Sequence, residues 1–124
     1  DEETAAAASR NFFTSFRSER ENSRTQEIAF LDAVINNDAT DADTLKEAQQ
    51  QKIEISKAME KEVTIEGLVK AKGFTDVVVT IQSGSVNVVV DSEKLEDAQV
   101  AQILDIVKTE SGASSDNIKV IPKS

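Results

Sequence analysis

Apolar residues recur along this chain at changing rhythms, and each change marks an element. Between Ala5 and Asn36 there is neither Gly nor Pro, which predicts one continuous helix. Its apolar positions form two islands: Phe12, Phe13 and Phe16, then Ile28, Phe30, Leu31, Val34 and Ile35. The stretch Arg17–Glu27 between them is polar on every side. A helix without an apolar face gains little by packing on its own core. This part is therefore expected either to protrude into solvent or to be completed by a partner.

The polar run 36–43 breaks the helix, and its oxygen-bearing side chains suit the free N–H groups of a new helix start. It is not a calcium loop. Counted from Asp38, the sixth position is Asp43 where an EF-hand needs Gly, and the twelfth is Gln49 where it needs Glu. Leu45, Ala48, Ile55, Met59 and Val63 then follow helical spacing, predicting an amphipathic helix over 41–62. Ile65, Leu68 and Val69 continue on a different angular face. A bend, or a switch from one packing surface to another, is expected near residue 62. Gly73 supplies a stop signal.

From Phe74 the period drops to two. Val77, Val79 and Ile81 alternate with Val78, Thr80 and Gln82; after Ser83-Gly84-Ser85, Val86, Val88 and Val90 alternate with Asn87, Val89 and Asp91. Two alternating runs around a short Gly turn predict a β-hairpin. A helix from Lys94 to about Ser111 follows, then a short strand 117–121 ended by Pro122. The order α-β-β-α-β implies a three-stranded sheet, with the last strand parallel to the second. Two helices would cover one face, burying Val77, Val79, Ile81, Val86, Val88, Val90, Ile118 and Val120. The domain division that follows is a helical extension, 1–60, and a compact unit, 61–124.

Composition narrows the chemistry. Among 124 residues there is no His, Cys, Trp or Tyr. Thiolate nucleophiles, His bases, Ser-His-Asp triads, zinc sites and disulfides all lack their residues. Carboxylates are plentiful, but no base can be paired with a nucleophile, so no catalytic residue, no metal site and no cofactor is assigned and the chain is read as a non-enzyme. The net charge is −9, from 14 Lys plus Arg against 23 Asp plus Glu, which disfavours a phosphate-bearing surface. The alternative function, a KH-like nucleic-acid-binding domain suggested by the element order, also wants a Gly-x-x-Gly loop. Gly67, Gly73, Gly84 and Gly112 include no such pair. No run is apolar enough to span a bilayer. The first residue is Asp1 rather than Met, and the chain is expected to be part of a longer one.

Residues 61–121 carry a resemblance. Ile65-Glu66-Gly67-Leu68-Val69-Lys70-Ala71-Lys72-Gly73-Phe74-Thr75-Asp76-Val77-Val78-Val79 leads into Val86-Asn87-Val88-Val89-Val90. These are followed by Ala98-Gln99-Val100-Ala101-Gln102-Ile103-Leu104-Asp105-Ile106-Val107 and Asn117-Ile118-Lys119-Val120. This stretch resembles the sporulation members of the ring-building-motif family, relatives of the ring proteins of type III secretion and flagellar basal bodies. The resemblance implies an α+β ring-building motif preceded by long N-terminal helices. It also implies a structural role in an intercellular channel, or feeding tube, between mother cell and forespore. A membrane anchor in the mother-cell (outer forespore) membrane is implied, with this domain in the extracytoplasmic intermembrane space. The implied partner is the ectodomain of stage II sporulation protein Q, bound one to one, with self-association into a ring when anchored.

The residues themselves indicate where partners would meet the chain. With both helices on one sheet face, the other displays Val78, Thr80, Asn87, Val89, Lys119 and Ile121, of which three are aliphatic. It is a mildly apolar surface, an interaction surface, or a face covered by residues 5–60 folding back. Val78, Thr80, Asn87, Val89 and Ile121, with Phe12, Phe13 and Phe16 from the helix, are the candidate partner-binding residues. Either sheet edge, 75–82 or 117–121, is a second candidate for accepting a strand.

Overall fold

The computed structural model describes every residue, Asp1–Ser124. Helix α1 (Glu2–Ile35) begins at Asp1, whose carboxylate accepts from the Thr4 N–H at 2.8 Å. A short loop returns the chain into α2 (Ala42–Lys70), capped by Asp41. Strands β1 (Val77–Gln82) and β2 (Ser85–Asp91) form the hairpin. Ser83 and Gly84 turn it with φ of 51° and 82°, the two left-handed residues of a type I′ turn. Helix α3 (Asp97–Ser111) ends at Gly112, φ 75°. A single 3₁₀ turn then leads into β3 (Ile118–Lys123). The sheet order is β1-β2-β3, antiparallel then parallel, as the alternating runs and the crossover helix imply.

One face of the sheet meets α2 and α3. Its core is Ile65, Val69, Val77, Val79, Val86, Val88, Val90, Ile103, Val107 and Ile118, with Ile81 and Val120 partly buried against it. The helix expected over 41–62 runs on to Lys70 without a break, and it passes through the 60/61 boundary. Its change of apolar face is a change of neighbour. Ala48 is buried where α2 runs beside α1, whereas Ile65 and Val69 are buried in the main core. Met59 and Val63, expected on the packed face, are exposed, and Glu62 is buried in their stead.

Candidate interaction surfaces

The opposite sheet face is not open. Alternation and register place Val78, Val89 and Ile121 in one row across it and Thr80, Asn87 and Lys119 in the next. The first half of α1 lies over the first row. Phe13, Val78 and Val89 form a second, smaller core, with Phe12 and Phe16 packed at its edge. Phe12 meets Phe13 edge-on at 5.3 Å between centroids, and Lys123 Nζ sits 5.3 Å from the Phe12 ring centre. Ser9 Oγ donates to Asp91 at 2.9 Å. Of the eight candidate partner-binding residues, Phe13, Val78 and Val89 are thus interior. The physical reason is ordinary: an uncovered Val pair and a nearby Phe lose water most cheaply against each other. Phe12, Phe16, Thr80 and Asn87 are half-buried around the rim of that contact, and Ile121 is exposed.

The polar stretch 17–27 neither frays nor waits for a partner. It seals the outer edge of β1. Arg17 donates to Asp76 in a close ion pair and to the Val77 carbonyl at 3.1 Å. Arg20 donates to Glu66 at 2.7 Å and to the Val79 carbonyl at 2.6 Å. Arg24 donates to both oxygens of Glu62, at 2.7 and 3.2 Å, and to the Ile81 carbonyl at 3.0 Å. The N–H groups of the same edge are also taken: Val79 donates to Glu66 at 2.8 Å and Ile81 to Glu62 at 2.7 Å. Side chains from two helices thus occupy the donors and acceptors that a neighbouring strand would use, which removes β1 as a pairing edge.

Burial deepens along the ladder from the partly exposed Arg17–Asp76 pair to Arg24–Glu62. Arg24 and Glu62 side chains are 9% and 2% exposed. Around Asp76 burial pushes the carboxyl up, but the Arg17 hydrogen bond, the Val77 N–H and the charges of Arg17 and Lys70 outweigh it, holding it below the usual range. The same hydrogen bond from Arg17 to Asp76 raises the guanidinium above its ordinary value.

The signal for this ladder was present in the sequence. Phe13, Arg17, Arg20, Arg24, Glu27, Leu31 and Val34 follow an unbroken four-three repeat. Such a repeat keeps one stripe of a helix on one line. An apolar-only reading breaks the stripe at Arg17, because it does not count arginine as a buried residue. Nothing in that reading supplies the acceptors, which stand 38 to 60 positions away.

The β3 edge is different. The Ser92 N–H donates to Lys123 O at 3.1 Å, so odd-numbered β3 residues turn their backbone groups toward β2. Val120 and Pro122 turn theirs outward. Pro122 has no N–H to leave unpaired there, and Lys119 and Lys123 flank it. Between α1 and the second sheet row lies a groove of about 210 Å³, bordered by Phe16, Arg20, Ser23, Thr80 and Gln82. The Thr80 hydroxyl at its floor has no hydrogen-bond partner. No His, Cys, Asp and Glu stand in a group of three that a metal ion would need, and no helix is long and apolar enough to cross a membrane.

Comparison with known proteins places this arrangement. The family model described as SpoIIIAH-like protein matches residues 1–120. Stage III sporulation protein AH of Bacillus subtilis (strain 168) is 28% identical over 121 residues, an alignment covering 89% of this chain and 56% of that protein. The chain therefore spans little more than half the length of that relative. A chain in the solved structure of the SpoIIQ-SpoIIIAH pore forming complex superposes with a TM-score of 0.77 at 25% identity, covering 90% of this chain and 98% of that one.

Proposed function

This chain belongs to the SpoIIIAH-like protein family, and on that premise we propose that it is a structural component of an intercellular channel formed during sporulation. Its partner in this reading is the ectodomain of stage II sporulation protein Q, bound one to one. The observation that carries the reading is the likeness, along 90% of this chain, to a chain of the SpoIIQ-SpoIIIAH pore forming complex. In the whole protein an anchor in the mother-cell membrane would hold residues 1–124 in the space between the two membranes. Anchoring would also supply the local concentration for copies to assemble into a ring, with 61–124 as the ring-building unit and 1–60 as its helical extension.

The surfaces free to serve the partner are those α1 leaves uncovered: Phe12, Phe16, Thr80, Asn87 and Ile121, together with the outward edge of β3. Phe13, Val78 and Val89 contribute by holding that surface in shape. Ile121 is the most accessible of these side chains, 43% exposed, and borders both the face and the edge.

Isothermal titration of this chain into the ectodomain of stage II sporulation protein Q from the same organism tests the reading. Saturable 1:1 heat is the expected result, and Ile121→Glu is expected to weaken it roughly tenfold or more while the thermal melt stays put. Absence of heat and of co-elution at about 100 μM, where a complex of roughly −6 kcal/mol still registers, would overturn it.

A further inference from the structure

The two edges of the sheet are guarded in different ways. At β1 both kinds of backbone group are taken. Arg17, Arg20 and Arg24 donate to the Val77, Val79 and Ile81 carbonyls, while Asp76, Glu66 and Glu62 accept from the N–H groups of the same three residues. A strand laid along β1 finds no free group there, whatever chain it comes from.

At β3 only the donors are missing. Lys123 O turns toward β2, where it accepts from Ser92, so Ile118, Val120 and Pro122 point their backbone groups outward. Pro122 has no N–H. The Ile118 N–H is already engaged, donating to the Ser115 carbonyl at the end of the 3₁₀ turn. The strand is left with three outward acceptors, the carbonyls of Ile118, Val120 and Pro122, and one outward donor, the Val120 N–H.

A second copy of the chain brings the same shortage. Two β3 strands side by side have two N–H groups for six carbonyls, so no register forms more than two hydrogen bonds between them. The remaining carbonyls would lose water without gaining a partner. In the antiparallel register centred on Val120, Lys119 also stands diagonal to Lys119 and Lys123 of the second copy, and like charges so placed oppose pairing. A different polypeptide escapes the shortage, because its own N–H groups can serve all three carbonyls while it accepts from Val120.

We propose that Pro122, together with the Ser115–Asn117 turn, bars β3 of one copy from pairing with β3 of another and keeps that edge for a partner of different sequence that brings N–H donors. The inference deepens the reading above, in which copies are crowded at a membrane and the β3 edge belongs to the surface free for the partner. Its test needs no partner, so its failure leaves the one-to-one complex standing, and a failed titration with the partner leaves the guard standing.

Pro122→Val restores the missing N–H at an exposed position and doubles the donors, allowing four hydrogen bonds in the register centred on Val120. Sedimentation and light scattering at concentrations up to about 1 mM should show this variant dimerising roughly tenfold more tightly than the wild-type chain, with the thermal midpoint unchanged. Pro122→Ala, which restores the same N–H without a β-branched side chain, should dimerise as well. Hydrogen exchange at the Val120 amide should slow as concentration rises in both variants and stay constant in the wild type. Variants that keep the wild-type melt and remain as monomeric as the wild type would overturn the proposal. So would a wild-type chain whose Val120 amide becomes protected with rising concentration, because the edge would then be pairing with itself in spite of Pro122.

Discussion

Replacing Arg24 by Ala tests what holds α1 to the sheet. The substitution removes two charge-assisted hydrogen bonds to Glu62, at 2.7 and 3.2 Å, and one to the Ile81 carbonyl. Glu62 is 2% exposed and cannot recover water in exchange. Its remaining partners are the Ile81 N–H at 2.7 Å and Arg20 at 3.8 Å. Breaking a buried ion pair from one side costs about 3–5 kcal/mol. The two surviving neighbours place the expected loss near the lower end, about 3 kcal/mol by the same reasoning. In urea, with a slope of about 2 kcal/mol per molar, the midpoint should fall by roughly 1.5 M. Hydrogen exchange at the Val79 and Ile81 amides should accelerate in parallel, since their acceptors sit in the same ladder. The double substitution Arg24→Met with Glu62→Leu should recover more than half of the loss, because no charge is then left buried alone. A midpoint shift below roughly 0.5 M for Arg24→Ala would be the behaviour of an exposed pair and would refute the ladder as the clamp on α1.

Other expectations follow from the same geometry. Val89→Glu would weaken partner binding without unfolding if the second sheet face were open. With Val89 under Phe13 it should instead destabilise the fold by several kcal/mol, visible as a lowered thermal midpoint without any partner present. Asp76 titrates below its unfolded value near 3.9, so the folded state holds its proton less readily than the unfolded chain. Its contribution is therefore complete above about pH 4 and is lost as pH falls through the folded value. Urea midpoints measured from pH 5 downward should decline less steeply in Asp76→Asn than in the wild-type chain; parallel curves would contradict the assignment.

Local pattern was enough for much of the architecture. The lack of Gly and Pro before Asn36 announces α1, the period-two valines announce β1 and β2, and the Ser83-Gly84 turn joins them. The face assignments of Val77, Val79, Val86, Val88 and Val90 follow from alternation alone, because a strand side chain has only two directions to choose from. The chain's acidic charge and its missing His and Cys were also legible, being properties of composition. Tertiary structure decided which of two sheet faces α1 would cover and what the stretch Arg17–Glu27 is for. That stretch looks solvated when its own residues are counted, and it becomes a buried clamp only when Glu62, Glu66, Asp76 and the β1 carbonyls are brought to it. An arginine's burial depends on acceptors elsewhere in the chain, and a hydrophobic pattern carries no record of them. The same distinction explains Phe13, Val78 and Val89. Their apolar character was evident in the sequence, but whether they face a partner or each other depends on where a helix more than sixty positions away comes to rest.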